Sequence, residues 1–87
     1  MSYELVITPP AARAVQHQSP EHVAAAVIEF MTGPLVANPQ RVGKELWREL
    51  EGILSARRGT YRVLYRIDED AGGVIVVRVD HRRDVYR

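Results

Sequence analysis

Four arginines lie close together between residues 55 and 67, with no acidic residue among them: Arg57, Arg58, Arg62 and Arg66. The segment has the pattern of two strands joined by a tight turn at Arg58-Gly59-Thr60. Because guanidinium groups are costly to bury and stay charged at any working pH, the cluster is poorly suited to building a core. It is well suited to binding phosphate, whose oxygens accept paired hydrogen bonds from arginine.

A second basic cluster ends the chain, in the segment His81-Arg82-Arg83-Asp84-Val85-Tyr86-Arg87. A histidine exchanges a proton near neutral pH, and a tyrosine ring can stack on a nucleobase. With arginines to stabilise negative charge on phosphorus, these groups suit metal-free RNA cleavage by the 2′-hydroxyl. The competing interpretation is that His81 and Tyr86 are ordinary residues at the edge of a sheet.

The sequence lacks the residue patterns of several other kinds of functional site. The chain has no cysteine, so neither a disulfide nor a thiolate metal site is expected. No acidic and histidine residues have metal-ligand spacing near the arginines, and no phosphate loop or serine triad is present, so no metal or cofactor is predicted. Because the chain shows neither a signal-peptide pattern nor a membrane span, we expect a cytoplasmic protein with no membrane partner.

Charge is unevenly distributed along the 87 residues, whose net charge is +1. Residues 1–40 hold one arginine against three glutamates, while residues 41–87 hold eleven Lys and Arg against eight Asp and Glu. A basic C-terminal half suits a phosphate-bearing partner or an acidic protein. A solvated charged surface is the less specific alternative.

The flanking patterns predict the elements that position the arginines. Residues 3–7 alternate as a strand, and Thr8 caps a helix that begins at Pro9. A second helix runs from Pro20 to about Met31, where Gly33 and Pro34 stop it. Three further strands are predicted at 53–57, 61–67 and 74–80. In residues 35–50 we expect an ordered connection with a helical turn near Gly43, and Trp47 at the edge of the core.

The order strand, helix, helix and three strands predicts a single small α+β domain over residues 1–87. The first strand would insert beside an antiparallel three-stranded meander, and the helical hairpin would cover one face of the sheet. Alternation places Arg62 and Arg66 on the uncovered face, and it places Ile75, Val77 and Val79 together on one face of the last strand. Arg66 is expected to pair with Asp68 or Glu69, and Arg78 to be solvated.

Three segments resemble the RelE/ParE superfamily of type II toxins: Asn38 to Lys44, Ser55 to Ile67, and Val79 to Tyr86. The pattern Gly-x-Tyr-Arg-x-x-Tyr, followed by a closing His-Arg-x-x-x-Tyr, is most like that of mycobacterial RelE-type toxins. The resemblance covers nearly the whole chain and implies a RelE-like fold. It also implies a toxin that cleaves mRNA in the ribosomal A site and so inhibits translation.

The resemblance further implies partners and residue roles. A RelB-like antitoxin would neutralise the toxin, and operator DNA would be bound only through that antitoxin. Arg62 would contact the scissile phosphate, Arg82 or Arg83 would act as the general acid, and Tyr86 would stack on an mRNA base. The expected phosphate-binding residues are completed by Arg57, Arg58 and Lys44.

One feature departs from the RelE pattern. The best-studied RelE toxins carry two lysines on the strand that corresponds to residues 53–57, one of them the proposed base, whereas this chain has none there. We therefore expect His81 to act as the base. Two other functions stay open: a ParE-like inhibitor that binds DNA gyrase without chemistry, and a decayed toxin that serves as an interaction module.

Overall fold

The computed structural model describes residues 2–17, 20–45 and 52–81. Its strands are β1 (Glu4–Ile7), β2 (Lys44–Glu45), β3 (Leu54–Arg58), β4 (Tyr61–Asp68) and β5 (Gly73–His81). Its helices are α1 (Pro9–His17), α2 (Glu21–Phe30), a π-helical turn (Met31–Leu35) and α3 (Pro39–Val42). The predicted α+β order is confirmed, with β2 and α3 as additions.

The strands form one sheet in the order β1-β5-β4-β3-β2. The meander β3-β4-β5 is antiparallel, as predicted, and β1 inserts beside β5 as a parallel strand. Parallel neighbours cannot be joined by a tight turn, and here the helices and strands β2, β3 and β4 all lie between β1 and β5 in the chain. The helices and the sheet share one core, which includes Val27, Met31, Leu35, Val63 and Tyr65.

The alternation predicted for β4 is confirmed. Tyr61, Val63 and Tyr65 are buried against the helices, whereas Arg62 and Arg66 alternate with them and point away. We call the helix-covered side of the sheet the covered face and the other side the open face.

The alternation predicted for β5 is wrong. Leu64 pairs with Arg78 and Tyr65 pairs with Val76, so Val77 is an extra residue in β5 that no residue of β4 opposes. This β-bulge places Val74, Val76 and Val79 in the core. Ile75 and Val79 therefore lie on opposite faces of the sheet. Each residue of β5 after Val77 lies on the face opposite to the one that regular alternation from Val74 would give it.

The start of α1 is attached to this bulge. Thr8 directly precedes α1, as predicted for its cap, and its carbonyl accepts from the backbone N–H of Ala12 at 2.9 Å. Its hydroxyl donates to the carbonyl of Val76 at 2.9 Å, with the carbonyl of Val77 at 3.3 Å. The backbone N–H of Thr8 also donates to Val76, at 3.0 Å. These bonds fix the entry of the helical layer onto β5.

The α-helix α2 ends at Phe30, close to the predicted end at Met31, but Gly33 and Pro34 do not stop the helical path as predicted. It continues through the π-helical turn Met31–Leu35, which contains Pro34. A wider π-turn accommodates a proline ring better than a regular helix does, and the turn buries both Met31 and Leu35. Burial of two large side chains therefore outweighs the local stop signal.

The connection after the π-turn packs closely on β4. In place of the turn predicted near Gly43, the helical turn is α3, and Gly43 precedes β2. The phenol of Tyr65 donates to the carbonyl of Pro39 at 2.6 Å. A Cβ atom on Gly43 would clash with the hydroxyl of Tyr65, so a larger residue there would have to displace that side chain. Trp47 lies outside the described residues.

Replacement of Gly43 by alanine should lower the free energy of unfolding by about 1–3 kcal/mol, because the new methyl group displaces a buried, hydrogen-bonded phenol. Gly33→Ala is the matched control. Its Cβ would meet no atom within 4 Å and it lies in a helix, so stability should stay equal or rise by about 0.5–1 kcal/mol. Urea denaturation of both variants makes the test, and equal stability of the two would contradict the packing described.

The burial of the Tyr65 phenol leads us to expect a loss of stability at high pH. Burial raises its pKa from 10.0 to about 12, although the charge of Arg58 partly opposes the shift. Between these values the unfolded chain loses the phenol proton while the folded protein keeps it. The free energy of unfolding should therefore fall as the pH rises from about 10 towards 12. Urea denaturation of Tyr65→Phe over the same range should show a smaller fall, and an equal fall would be the contradictory result.

Candidate functional site

The strand register places three charged side chains in one row across the open face. Arg57 of β3 lies directly opposite Arg62 of β4, and Arg62 lies directly opposite Asp80 of β5. Directly paired residues point to the same side of a sheet. The row is therefore Arg57, Arg62 and Asp80, at the end of the sheet where the β3–β4 turn lies.

The next row extends this basic region to the edge of the sheet. Lys44 of β2 pairs with Ser55, Ser55 pairs with Leu64, and Leu64 pairs with Arg78. Lys44 and Arg78 thus lie on the open face on either side of Leu64. We call Lys44, Arg57, Arg62 and Arg78 the basic region.

The far end of the open face has the opposite charge. Glu4 pairs with Gly73, and Gly73 pairs with Asp68, so both carboxylates lie at the other end of β4. Arg66 lies between the two ends, and the described contacts include no ion pair from Arg66 to Asp68 or Glu69, contrary to the prediction. The open face is therefore polarised along β4.

The juxtaposition of Arg57 and Arg62 brings no benefit to the fold. Like charges directly opposite each other on neighbouring strands destabilise a sheet. An anion between the two guanidinium groups would relieve the repulsion and could accept hydrogen bonds from both. The pair is therefore the clearest structural sign of an anion-binding surface in the described residues.

Asp80 is the carboxylate of this row, and sequence reasoning missed it. Its Oδ1 atom accepts a hydrogen bond from the Nε of Arg78 at 2.8 Å, and its Oδ2 atom lies 3.6 Å from a terminal nitrogen of Arg62. Arg78 was predicted to be solvated, but it is ion-paired while still 67% exposed. The sequence gives no signal for these contacts, because they depend on the bulge at Val77.

Arg58, a predicted phosphate-binding residue, lies mainly on the covered face. It pairs with Tyr61, and its guanidinium carbon lies 4.7 Å from the ring centroid of Phe30. Its side chain also donates to the carbonyl of Arg57 at 3.0 Å. Burial raises the pKa of Tyr61, and the positive charge of Arg58 partly opposes that rise. Arg57 and Arg58 are thus neighbours in sequence with different surroundings.

His81, the predicted base, is not on the same face as Arg62. It pairs with Tyr61 across the strands, which places it on the covered side at the very end of β5. Its Nε2 atom lies 3.2 Å from the hydroxyl of Thr60. The structure therefore brings His81 to the turn end of the sheet but not into the row of Arg57 and Arg62.

A cleft at the β2 edge adjoins the basic region. Its volume is about 450 Å³, and the residues that line it are Arg41, Val42, Gly43, Lys44, Glu45, Ser55, Arg57 and Arg58. Lys44, Arg57 and Arg58, three predicted site residues, therefore share one concave surface. Arg41 was missed because α3 had not been foreseen.

Arg82, Arg83 and Tyr86, the other predicted site residues, lie outside the described residues. In the ranges 2–17, 20–45 and 52–81, no three His, Asp or Glu side chains are grouped as a metal ion would require. No helix in the same part of the chain has the length and apolar character needed to cross a membrane.

Comparison with known proteins identifies the class. Residues 5–86 match the model of the ParE toxin family of type II toxin–antitoxin systems. The chain is 53% identical over 87 residues to the toxin RelG of Mycobacterium tuberculosis, an alignment that covers 100% of this chain and 99% of RelG. It is 48% identical over 85 residues to the toxin RelE of the same organism, covering 98% and 87%. The chain therefore belongs to the ParE/RelE family of type II toxins.

Solved structures agree with this assignment. The RelBE2 toxin–antitoxin complex of M. tuberculosis contains a chain that matches with a TM-score of 0.90 at 51% identity, covering 94% of this chain and 100% of that one. The isolated RelE toxin of E. coli matches with a TM-score of 0.75, covering 92% and 84%. Its identity is 16%, so it shows the fold alone. The predicted RelE-like fold is confirmed.

The two adjacent arginines give a matched test of the open face. Arg57→Gln should weaken binding of a short single-stranded oligonucleotide and reduce the slope of log K against log salt by about 0.7, the share of one phosphate contact. Arg58→Gln should reduce that slope less, because Arg58 lines the cleft but lies over the ring of Phe30, and it should also lower the free energy of unfolding by about 0.5–1 kcal/mol through loss of that contact. Equal losses of binding in both variants would contradict the separation of the two faces.

Proposed function

We propose that this toxin is an endoribonuclease that cuts mRNA in the ribosomal A site and so inhibits translation. The cross-strand pair of Arg57 and Arg62 carries the proposal, because it concentrates positive charge that an anionic ligand would stabilise. The similarity to relatives named RelE and RelG supports the same proposed function. The proposed target places the activity in the cytoplasm.

The chemistry proposed is metal-free transesterification. The 2′-oxygen of a ribose attacks the adjacent phosphorus, the bond to the 5′-oxygen breaks, and a 2′,3′-cyclic phosphate and a 5′-hydroxyl result. Negative charge grows on the phosphoryl oxygens as the new bond forms, and fixed cations stabilise it most effectively when they are already in place. Arg62 and Arg57 fill this role, and Lys44 in the adjoining cleft would bind the phosphate of a neighbouring nucleotide.

The remaining roles are assigned to the end of β5 and the residues that follow it. His81 would take the proton from the 2′-hydroxyl, and Arg82 or Arg83 would donate one to the leaving oxygen. Tyr86 would hold a base by stacking. The register of β5 places His81 on the opposite face of the sheet from Arg62. Its imidazole would therefore have to reach the scissile phosphate around the end of the strand.

We infer that the regulatory partner is a RelB-like antitoxin. RelE toxins occur with RelB antitoxins in solved complexes from M. tuberculosis, Pyrococcus horikoshii, E. coli and Methanococcus jannaschii. Operator DNA would be bound only through the antitoxin. The ribosome would be the second partner, presenting the mRNA to the open face.

The match to the ParE model favours one alternative, a toxin that inhibits DNA gyrase by binding alone. This alternative does not need the chemistry assigned to Arg62. It predicts growth arrest with intact mRNA.

Arg62→Ala should lower the rate of mRNA cleavage on the order of 10²–10³-fold, the loss typical when one transition-state donor is removed. The measurement is induced expression in a bacterial host, followed by primer extension on a translated mRNA. Arg13→Ala, an exposed arginine on α1, is the control and should cleave like the wild type.

Cuts within codons that disappear in Arg62→Ala and persist in Arg13→Ala would support the proposal. Full cleavage by Arg62→Ala would contradict it. Growth arrest by the wild type with uncut mRNA would favour gyrase inhibition, which a DNA supercoiling assay would then test.

A further inference from the structure

Asp80 brings a negative charge into the basic region. In the described residues it is the carboxylate that forms ion pairs on the open face, and it does so with both Arg62 and Arg78. Its side chain is 25% exposed, compared with 40% for Arg62 and 67% for Arg78. A substrate phosphate that approaches Arg62 would therefore meet a group of its own charge.

Stability of the fold gives little reason for this arrangement. Ion pairs that are open to solvent contribute little to stability, and the strand neighbours of Asp80 are held by the backbone ladder in any case. A carboxylate at this position also lowers the positive potential that would attract RNA. The contacts themselves indicate another role, because each oxygen of Asp80 faces a different guanidinium group.

Two flexible arginine side chains would otherwise repel each other and spread apart. Arg62 has Arg57 directly opposite on one side, and Arg78 lies in the next row. Asp80 accepts a hydrogen bond from Arg78 and lies 3.6 Å from Arg62, so its charge favours positions of both guanidinium groups close to the carboxylate before the substrate arrives. Preorganised groups of this kind lower a reaction barrier because they need no rearrangement in the transition state.

We propose that Asp80 is a positioning residue that holds Arg62 in its catalytic orientation and competes with the substrate phosphate for it. The proposal rests on the proposed function, and it deepens that function by assigning a residue that controls the balance between RNA affinity and turnover. Removal of the charge should therefore have opposite effects on the two quantities: tighter binding and slower cleavage.

Asp80→Asn is the direct test, since asparagine preserves the shape of the side chain and removes its charge. Single-turnover cleavage is measured on ribosomes that carry a short mRNA with an empty A site, over a range of toxin concentrations. The maximal rate should fall about 10–100-fold. The toxin concentration at half-maximal rate should fall about two- to fivefold, the size expected for release of one exposed ion pair.

Asp70→Asn is the matched control, because it makes the same change in net charge in the β4–β5 turn, at the opposite end of β4 from Arg62. It should leave both quantities unchanged. Asp80→Glu restores the charge and should recover most of the lost rate. Circular dichroism melting of each variant shows whether the protein is folded. If Asp80→Asn is misfolded, Asp80→Ser, which also removes the charge, takes its place in the same measurements.

Activity-independent binding supplies a second readout. Anisotropy of a labelled single-stranded RNA with 2′-O-methyl sugars, which cannot be cleaved, should show tighter binding to Asp80→Asn. The slope of log K against log salt should become steeper by about 0.7, as expected when Arg62 is freed to contact a phosphate.

The outcomes separate this inference from the proposed function. A lower maximal rate with tighter binding supports the positioning role. A maximal rate like that of the wild type, or weaker RNA binding, overturns it. Loss of the pH dependence of cleavage in Asp80→Asn also overturns it, because the carboxylate would then itself be accepting the proton. If Arg62→Ala cleaves like the wild type on the same ribosomes, the proposed function fails first.

Discussion

The central constraint on this protein is the pairing of β4 on both of its edges. β3 and β5 flank it, so no residue of β4 can turn over without breaking two ladders of backbone hydrogen bonds. Tyr61, Val63 and Tyr65 are held in the core by this register. The same register places Arg62 on the open face.

The helical layer completes this division by covering one face only. The covered face carries the apolar contacts that stabilise the fold, and even its arginine, Arg58, lies over an aromatic ring. The open face is thereby free to hold charges that repel one another, such as Arg57 and Arg62. The apolar contacts of the core and the exposed positive charge are thus separated by the thickness of a single sheet, and two adjacent arginines have different surroundings.

The sequence was a good guide wherever a single segment decides the outcome. The strands, the helical hairpin and the alternation of β4 could be predicted because periodicity and local start signals specify them. The π-turn at Pro34 could not, because its cause is the burial of Met31 and Leu35 against other elements. The tight contact of Gly43 with Tyr65 likewise depends on a packing that no local pattern encodes.

The bulge at Val77 explains the main difference at the site. A bulge is a property of two paired strands, so the sequence of β5 alone does not reveal it. One extra residue moves Asp80 onto the open face and His81 to the covered side. Sequence reasoning consequently found the arginines of β3 and β4 but gave His81 a place beside them and overlooked Asp80.

The most direct test of the account is to observe which arginines contact RNA. Nitrogen-labelled toxin would be titrated with a short RNA bearing 2′-O-methyl sugars, and the arginine Nε–H signals followed by NMR. We expect large shifts for Arg57 and Arg62 and smaller ones for Arg58 and Arg13. Shifts concentrated on Arg58 and the helices, with Arg62 unmoved, would contradict the claim that the open face binds the substrate.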